Sequence, residues 1–217
     1  MKKLILLLLL MPFIFASCSS DEDEDSEKSL EIKINVGEIY PLPKGDYSII
    51  TEPNLFAAII NEDGEIKGVH KGTTMAVVRS GRTTYNCRII IEANTTLYVD
   101  CAKYIGLKKS DIIKIYGNPI NINKQTHFFK SIGLEKQVFF VFDNNDIVTW
   151  AGVDFETSYA YEVGKHLADR YTLANSNNGK IMYSDSYDTK DQNRLIITVE
   201  NNTSVIRISY VRYNTIL

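Results

Sequence analysis

The stretch "KQVFFVFDNNDIVTWAGV", Lys136 to Val153, decides the fold of the larger half of this chain. Two runs rich in Val, Phe, Ile and Trp flank the polar "DNND", the pattern of two strands joined by a turn. The pattern recurs in "RLIITVENNTSVIRISYVRY", Arg194 to Tyr213, where Asn201 and Asn202 fall on Asn144 and Asn145. A helical segment precedes each copy. In "GLKKSDIIKIYGNP" Ser110 is placed to cap the helix, Ile112, Ile113 and Tyr116 give one apolar face, and Gly117 and Pro119 end it. In "SYAYEVGKHLADRY" the apolar residues Val163, Leu167 and Tyr171 lie four apart. Three strands follow each helix: "THFFKSI", "KQVFFVF" and "IVTWAGV", then "KIMYSDS", "RLIITVE" and "SVIRISYVRY". Residues 94–217 therefore read as an α+β domain built of a tandem α-β-β-β repeat. One unit has too little core to stand alone, whereas two can pool their sheets under helices on one face.

Residues 30–93 read differently. Short alternating runs are cut by turns about every ten residues, as in an all-β sandwich. Asp63-Gly64 suits a tight hairpin, because glycine accepts positive φ. "VGE" at Val36 to Glu38 and "DGEIKGVHKGTT" at Asp63 to Thr74, followed by two strands, resemble the bacterial immunoglobulin-like group 2 (BIg2) domain. That resemblance implies a small Ig-like β-sandwich of the kind used as a stalk or adhesion module, with no catalytic residues to transfer. "YSIITEPN" stands where that family usually has a Trp- or Ser-rich segment. The chain as a whole is thus a β plus α/β two-domain protein. Over the second domain, the helix ending in "YGNP" and the strands around "VFDNND" are similar to SmpA/OmlA-type lipoproteins, and the tandem plan is similar to β-lactamase-inhibitor-protein-like folds. Both likenesses imply a fold only.

Ahead of the sandwich, "MKK" and the apolar "LILLLLLMPFIF" form a secretory leader over residues 1–17, too short to span a bilayer comfortably. "FASC" resembles a bacterial lipobox, with Phe15 where Leu is usual, which implies cleavage before Cys18 and lipid on its sulfur. "SSDEDEDSEKS" then makes residues 18–29 an acidic tether that repels itself and buries nothing. It also resembles the acidic export signal of Gram-negative surface lipoproteins. The expected address is the outer membrane, lipid-anchored and surface-exposed, with its periplasmic face as the alternative.

Beyond leader and tether, 21 basic and 21 acidic residues remain. A neutral body gives no electrostatic reason to bind nucleic acid. Chemistry-bearing patterns are sparse, and none implies a cofactor. His70, His127 and His166 show no metal spacing, and Glu162 and His166 form an i,i+4 pair expected to be a solvated contact. Asp185, Asp188 and Asp191 fit a polar turn better than a calcium loop. Cys87 alternates with Tyr85, Ile89 and Ile91 on a core-facing strand, and Cys87–Cys101 is a candidate disulfide if the domains bring the two together. Trp150, the only tryptophan, packs a core by default, and is otherwise an aromatic platform for a ligand. The expected function is non-enzymatic recognition or adhesion through the C-terminal domain, with an unknown protein or glycan as ligand. Glycan capture for uptake, and a periplasm-facing inhibitor or envelope-assembly role, are the alternatives.

Overall fold

The computed structural model describes residues 26–43, 45–177 and 179–215, so the leader, Cys18 and most of the tether lie outside the described residues. Strand structure begins earlier than the tether reading expects. β1 (Ser26–Asn35) runs parallel to the last strand of the first half, with Ser26 opposite Thr83 and Asn35 opposite Glu92. Residues 26–29 are polar and exposed, but the neighbouring backbone supplies the ladder they need, so they are strand and not tether. Polar cross-strand pairs add to it: Ser26 with Thr83 at 2.9 Å and Arg88 with Glu31 at 2.6 Å.

β2 (Ile39–Pro41), β3 (Tyr47–Thr51), β4 (Ala58–Ile60), β5 (Glu65–Gly68), β6 (Gly72–Ser80) and β7 (Thr83–Glu92) complete this half. They form a four-stranded sheet in the order β1-β7-β6-β3 and a three-stranded sheet in the order β2-β5-β4. Period-two alternation places Ile32, Ile34, Ala76, Val78, Cys87, Ile89 and Ile91 on the inner face of one sheet, against Ala58, Ile60 and Ile66 of the other. Gly64 closes the β4–β5 turn at φ +76°, where the Tyr47 ring lies within 2.4 Å of any added Cβ. A side chain would be both strained and obstructed there.

The second half is organised around one large antiparallel sheet. α1 (Lys109–Tyr116) is followed by β8 (Asn121–Asn123), β9 (Thr126–Lys130), β10 (Gln137–Phe142) and β11 (Val148–Phe155). α2 (Ala160–Ala168) is followed by β12 (Thr172–Asn177), β13 (Lys180–Ser184), β14 (Leu195–Asn201) and β15 (Ile206–Arg212). Their order is β12-β13-β14-β15-β11-β10-β9-β8. Both helices and the turn at Cys101–Tyr104 cover one face, over Phe129, Phe140, Val153, Phe155, Ile197, Ile208 and Tyr210. The described protein is therefore mainly β, with few helices.

Two local expectations change. Four strands follow each helix, because "NIN" and "TLANSN" form exposed edge strands whose side chains contribute little to a core. Ser110 lies inside α1 rather than capping it: the N-cap is Lys108, which makes no side-chain cap bond. The β10–β11 turn holds the helix start instead, as Lys109 N–H donates to the Asp146 carbonyl at 2.8 Å and Lys108 bridges Ile147.

The candidate Cys87–Cys101 disulfide is not formed. Both thiols are free and buried, Cys87 in the sandwich core and Cys101 in the core of the large sheet. Burial raises the pKa of each thiol, which suppresses the reactive thiolate. An uncharged thiol-reactive disulfide reagent at neutral pH should leave both unmodified in the native chain and label both in denaturant. Rapid native labelling of either one would contradict this packing.

Candidate functional site

The helices leave the other face of the eight-stranded sheet uncovered among the described residues. Strand register orders its outward side chains into rows across the sheet. One row is Val141, Trp150, Val211 and Ile196. The next is Phe128, Phe139, Gly152, Ser209, Thr198 and Met182, and the third is Lys130, Gln137, Asp154, Arg207, Glu200 and Lys180.

Trp150 reaches this face through a bulge. Ala151, Val153 and Phe155 point into the core, so simple alternation would send Thr149 inward and Val148 outward. Yet Val148 is buried, and the register shifts where Trp150 opposes Val141 and Val148 opposes Phe142. Thr149 is the extra residue. The bulge lets Val148 and Ala151 share the core while the indole stands outside, 40% exposed. Of the two sequence readings of Trp150, the default of a core residue is thus corrected, and its side chain lies on the open face.

Two depressions flank it. One, of about 430 Å³, is walled by Thr149, Met182, Ile196, Thr198, Val211 and Thr215. The other, of about 420 Å³, has Asn123, Thr126, Phe128, Val141, Arg207 and Ser209 in its walls. Trp150 lines both.

A fixed polar clamp borders the second depression. Arg207 donates from Nε and Nη2 to the two oxygens of Asp154, each at 2.8 Å, and Gln137 Nε2 donates to the same carboxylate at 2.6 Å. Asp154 is only 1% exposed, and its carboxylate raises the Arg207 pKa. The guanidinium lies 5.0 Å from the centre of the Phe139 ring, which in turn lies over Gly152. Glu200 pairs with Lys180 at 2.7 Å. Sequence reading missed this group. Its signal was a single acid in "WAGVDF" and a single base in "VIRISYV", each inside an apolar strand.

The remaining candidates serve structure. His166, expected in a solvated contact with Glu162, is fully buried. Its ring stacks on Tyr98 at 4.0 Å and its Nδ1 accepts the Leu97 N–H at 3.1 Å. His70 Nδ1 meets the Phe56 carbonyl at 2.8 Å, within an aromatic group that joins Phe56 of the sandwich to Tyr187 of the second half. His127 sits apart, against Phe142. Asp185, Asp188 and Asp191 each accept a backbone N–H from their own loop region, from Leu195, Lys190 and Asn193 respectively. Among the described residues no group of three or more His, Cys, Asp or Glu side chains could hold a metal ion.

The junction between the halves is tied at Asp169 and Arg170. Asp169 accepts N–H groups from Thr95 and, at its carbonyl, from Lys71 of the sandwich, each at 2.7 Å. Arg170 donates to the carbonyls of Thr95 and His166.

No family model matches the chain, and no curated protein matches it. Among solved structures it is similar to the DUF4309 family protein YjgB from Bacillus subtilis subsp. subtilis strain 168, at 12% identity and a TM-score of 0.29. The match covers 48% of this chain and 78% of that one. A likeness this distant carries no argument about fold or function.

Proposed function

We propose that this protein is a non-enzymatic surface lipoprotein that recognises a partner through the open sheet face of residues 94–217. Trp150 carries the reading. An aromatic ring of this size, 40% exposed between two depressions, is apolar surface left available to a partner. In this reading Cys18 carries the lipid, the acidic segment is the spacer, and residues 30–93 form a BIg2-like stalk. The order of the large sheet supports a duplication within residues 94–217. β11 and β15, the last strand of each helix-plus-strands unit, lie side by side at its centre, and each unit's first strand lies at an edge. Binding is favoured over catalysis because the face's own acids, Asp154 and Glu200, are held in ion pairs.

Cells displaying the wild-type chain and cells displaying Trp150→Ala test this, after protease shaving has shown equal amounts of both outside. Adhesion to immobilised mucin and to an epithelial monolayer should fall about tenfold or more for the variant, as for loss of a central aromatic anchor. Equal adhesion would sink the reading, and protection from the protease would replace surface display with a periplasm-facing role. Glycan capture is the second reading, favoured by the paired depressions beside the indole.

A further inference from the structure

We infer that the open face binds an elongated, uncharged oligosaccharide laid across the strands, with one sugar ring stacked on Trp150 and others seated in the depressions on either side. The inference rests on the recognition reading above and names the chemistry of its ligand.

Charge comes first. Four of the ionic groups of the face are mutually paired, Asp154 with Arg207 and Glu200 with Lys180, while Lys130 stands exposed at the β9 end of the same row. An anionic ligand would have to displace a carboxylate already held by two hydrogen bonds to the guanidinium. A cationic ligand would have to compete with that guanidinium for Asp154, which is 1% exposed. Around the two depressions, which Lys130 does not line, the face is complementary to a neutral molecule.

Surface chemistry comes next. Apolar lining comes from Met182, Ile196 and Val211 on one side and from Phe128, Phe139 and Val141 on the other. Among it stand neutral hydrogen-bonding groups, Thr149, Thr198 and Thr215 in the first depression and Asn123, Thr126 and Ser209 in the second, which the ion-paired Arg207 and Glu200 also line. A pyranose ring has the matching anatomy, with C–H faces that pack on an aromatic or aliphatic surface and hydroxyls around its edge. A peptide strand would instead seek unpaired backbone groups, which in this sheet lie at the edge strands β8 and β12 and not on the face.

Size decides between a single sugar and a chain. Each depression falls within the range of about 300–1,000 Å³ typical of small-molecule sites. Met182 on β13 and Asn123 on β8 are six strand spacings apart, roughly 29 Å at about 4.8 Å each. A ligand that fills both depressions from one outer wall to the other must be long and must run across the strands.

The single tryptophan makes the site its own reporter. The purified full-length chain in detergent is titrated with maltohexaose, cellohexaose, xylohexaose and mannohexaose, and with hyaluronan and oligogalacturonate hexasaccharides, while tryptophan emission is followed. A blue shift is expected with at least one neutral series, with affinity rising about tenfold or more from disaccharide to hexasaccharide. By calorimetry, Trp150→Ala should lose about tenfold or more. Thr198→Val and Asn123→Ala, which alter opposite depressions, should each weaken the hexasaccharide about threefold or more, while a disaccharide responds to no more than one of them. Thermal melts of the same samples keep folding separate from binding. A panel in which no neutral hexasaccharide binds, or only the anionic ones do, overturns the inference. So does a protein ligand whose binding needs Trp150, but that result leaves the recognition reading standing. Failure of both, with Trp150→Ala cells adhering like wild type, removes the reading itself.

Discussion

Gly152→Ala should melt about 6–12 °C below the wild-type protein, the shift that roughly 3 kcal/mol produces in a chain of this size. Gly152 sits on β11 opposite Phe139 of β10 and Ser209 of β15. A Cβ there would lie 2.3 Å from the Phe139 Cζ and 2.5 Å from the Ile208 carbonyl oxygen. The first clash could be relieved by moving a ring. The second involves backbone of the adjacent strand, so relief requires β11 and β15 to move apart. Those strands join the two helix-plus-strands units at the centre of the sheet. The double variant Gly152→Ala/Phe139→Leu separates the two causes: it should recover only part of the lost stability, because the contact with Ile208 remains. Circular dichroism melts check both, and an unchanged midpoint for Gly152→Ala would show that β11 and β15 are free to separate at this position.

The same position shows how far the sequence can be read. Strands rich in β-branched and aromatic residues, such as "QVFFVF" and "LIITVEN", announce themselves because one of their faces must be buried. The edge strands "NIN" and "TLANSN" do not, since their partners supply hydrogen bonds and little apolar contact. Cys87 was legible as a core residue from alternation with Tyr85 and Ile89. Trp150 was not legible, because the phase of β11 depends on which end one counts from. Counting back from Phe155 places Trp150 outside, whereas counting forward from Val148 places it inside. Only the bulge at Thr149 reconciles the two, and a one-residue register shift leaves no mark in composition. The clamp of Gln137, Asp154 and Arg207 was hidden for a related reason. Its members lie on three strands, and the sequence alone does not place β15 beside β11.

Acidification should weaken the fold through His166, by about 2 kcal/mol between pH 7 and pH 4.5. Burial, followed by the nearby cations Arg170 and Lys71, pushes its pKa down from the usual 6.5 to about 3. The ring is therefore neutral in the folded protein, accepting the Leu97 N–H at Nδ1, and Nε2 is buried without a partner. In the unfolded chain the same imidazole takes up a proton as pH drops below about 6.5. Between those two values the unfolded state binds more protons than the folded one, so stability rises with pH across the window and is lost as pH falls through it. The direction is opposite to that of a histidine stabilised by a carboxylate partner. His166→Asn isolates the effect, because the amide oxygen can still accept from Leu97 while nothing at the site titrates. Denaturant melts at the two pH values should show the wild type losing about 2 kcal/mol more than the variant, with the other acid-sensitive groups, His127 among them, cancelling in the difference. Lys71→Gln, on the sandwich side of the junction, should move the His166 titration upward by removing one of the opposing charges. Equal pH dependence in wild type and His166→Asn would mean that the imidazole is already solvated in the folded state. That would in turn mean that the junction where Arg170, Thr95 and Leu97 surround it opens to water.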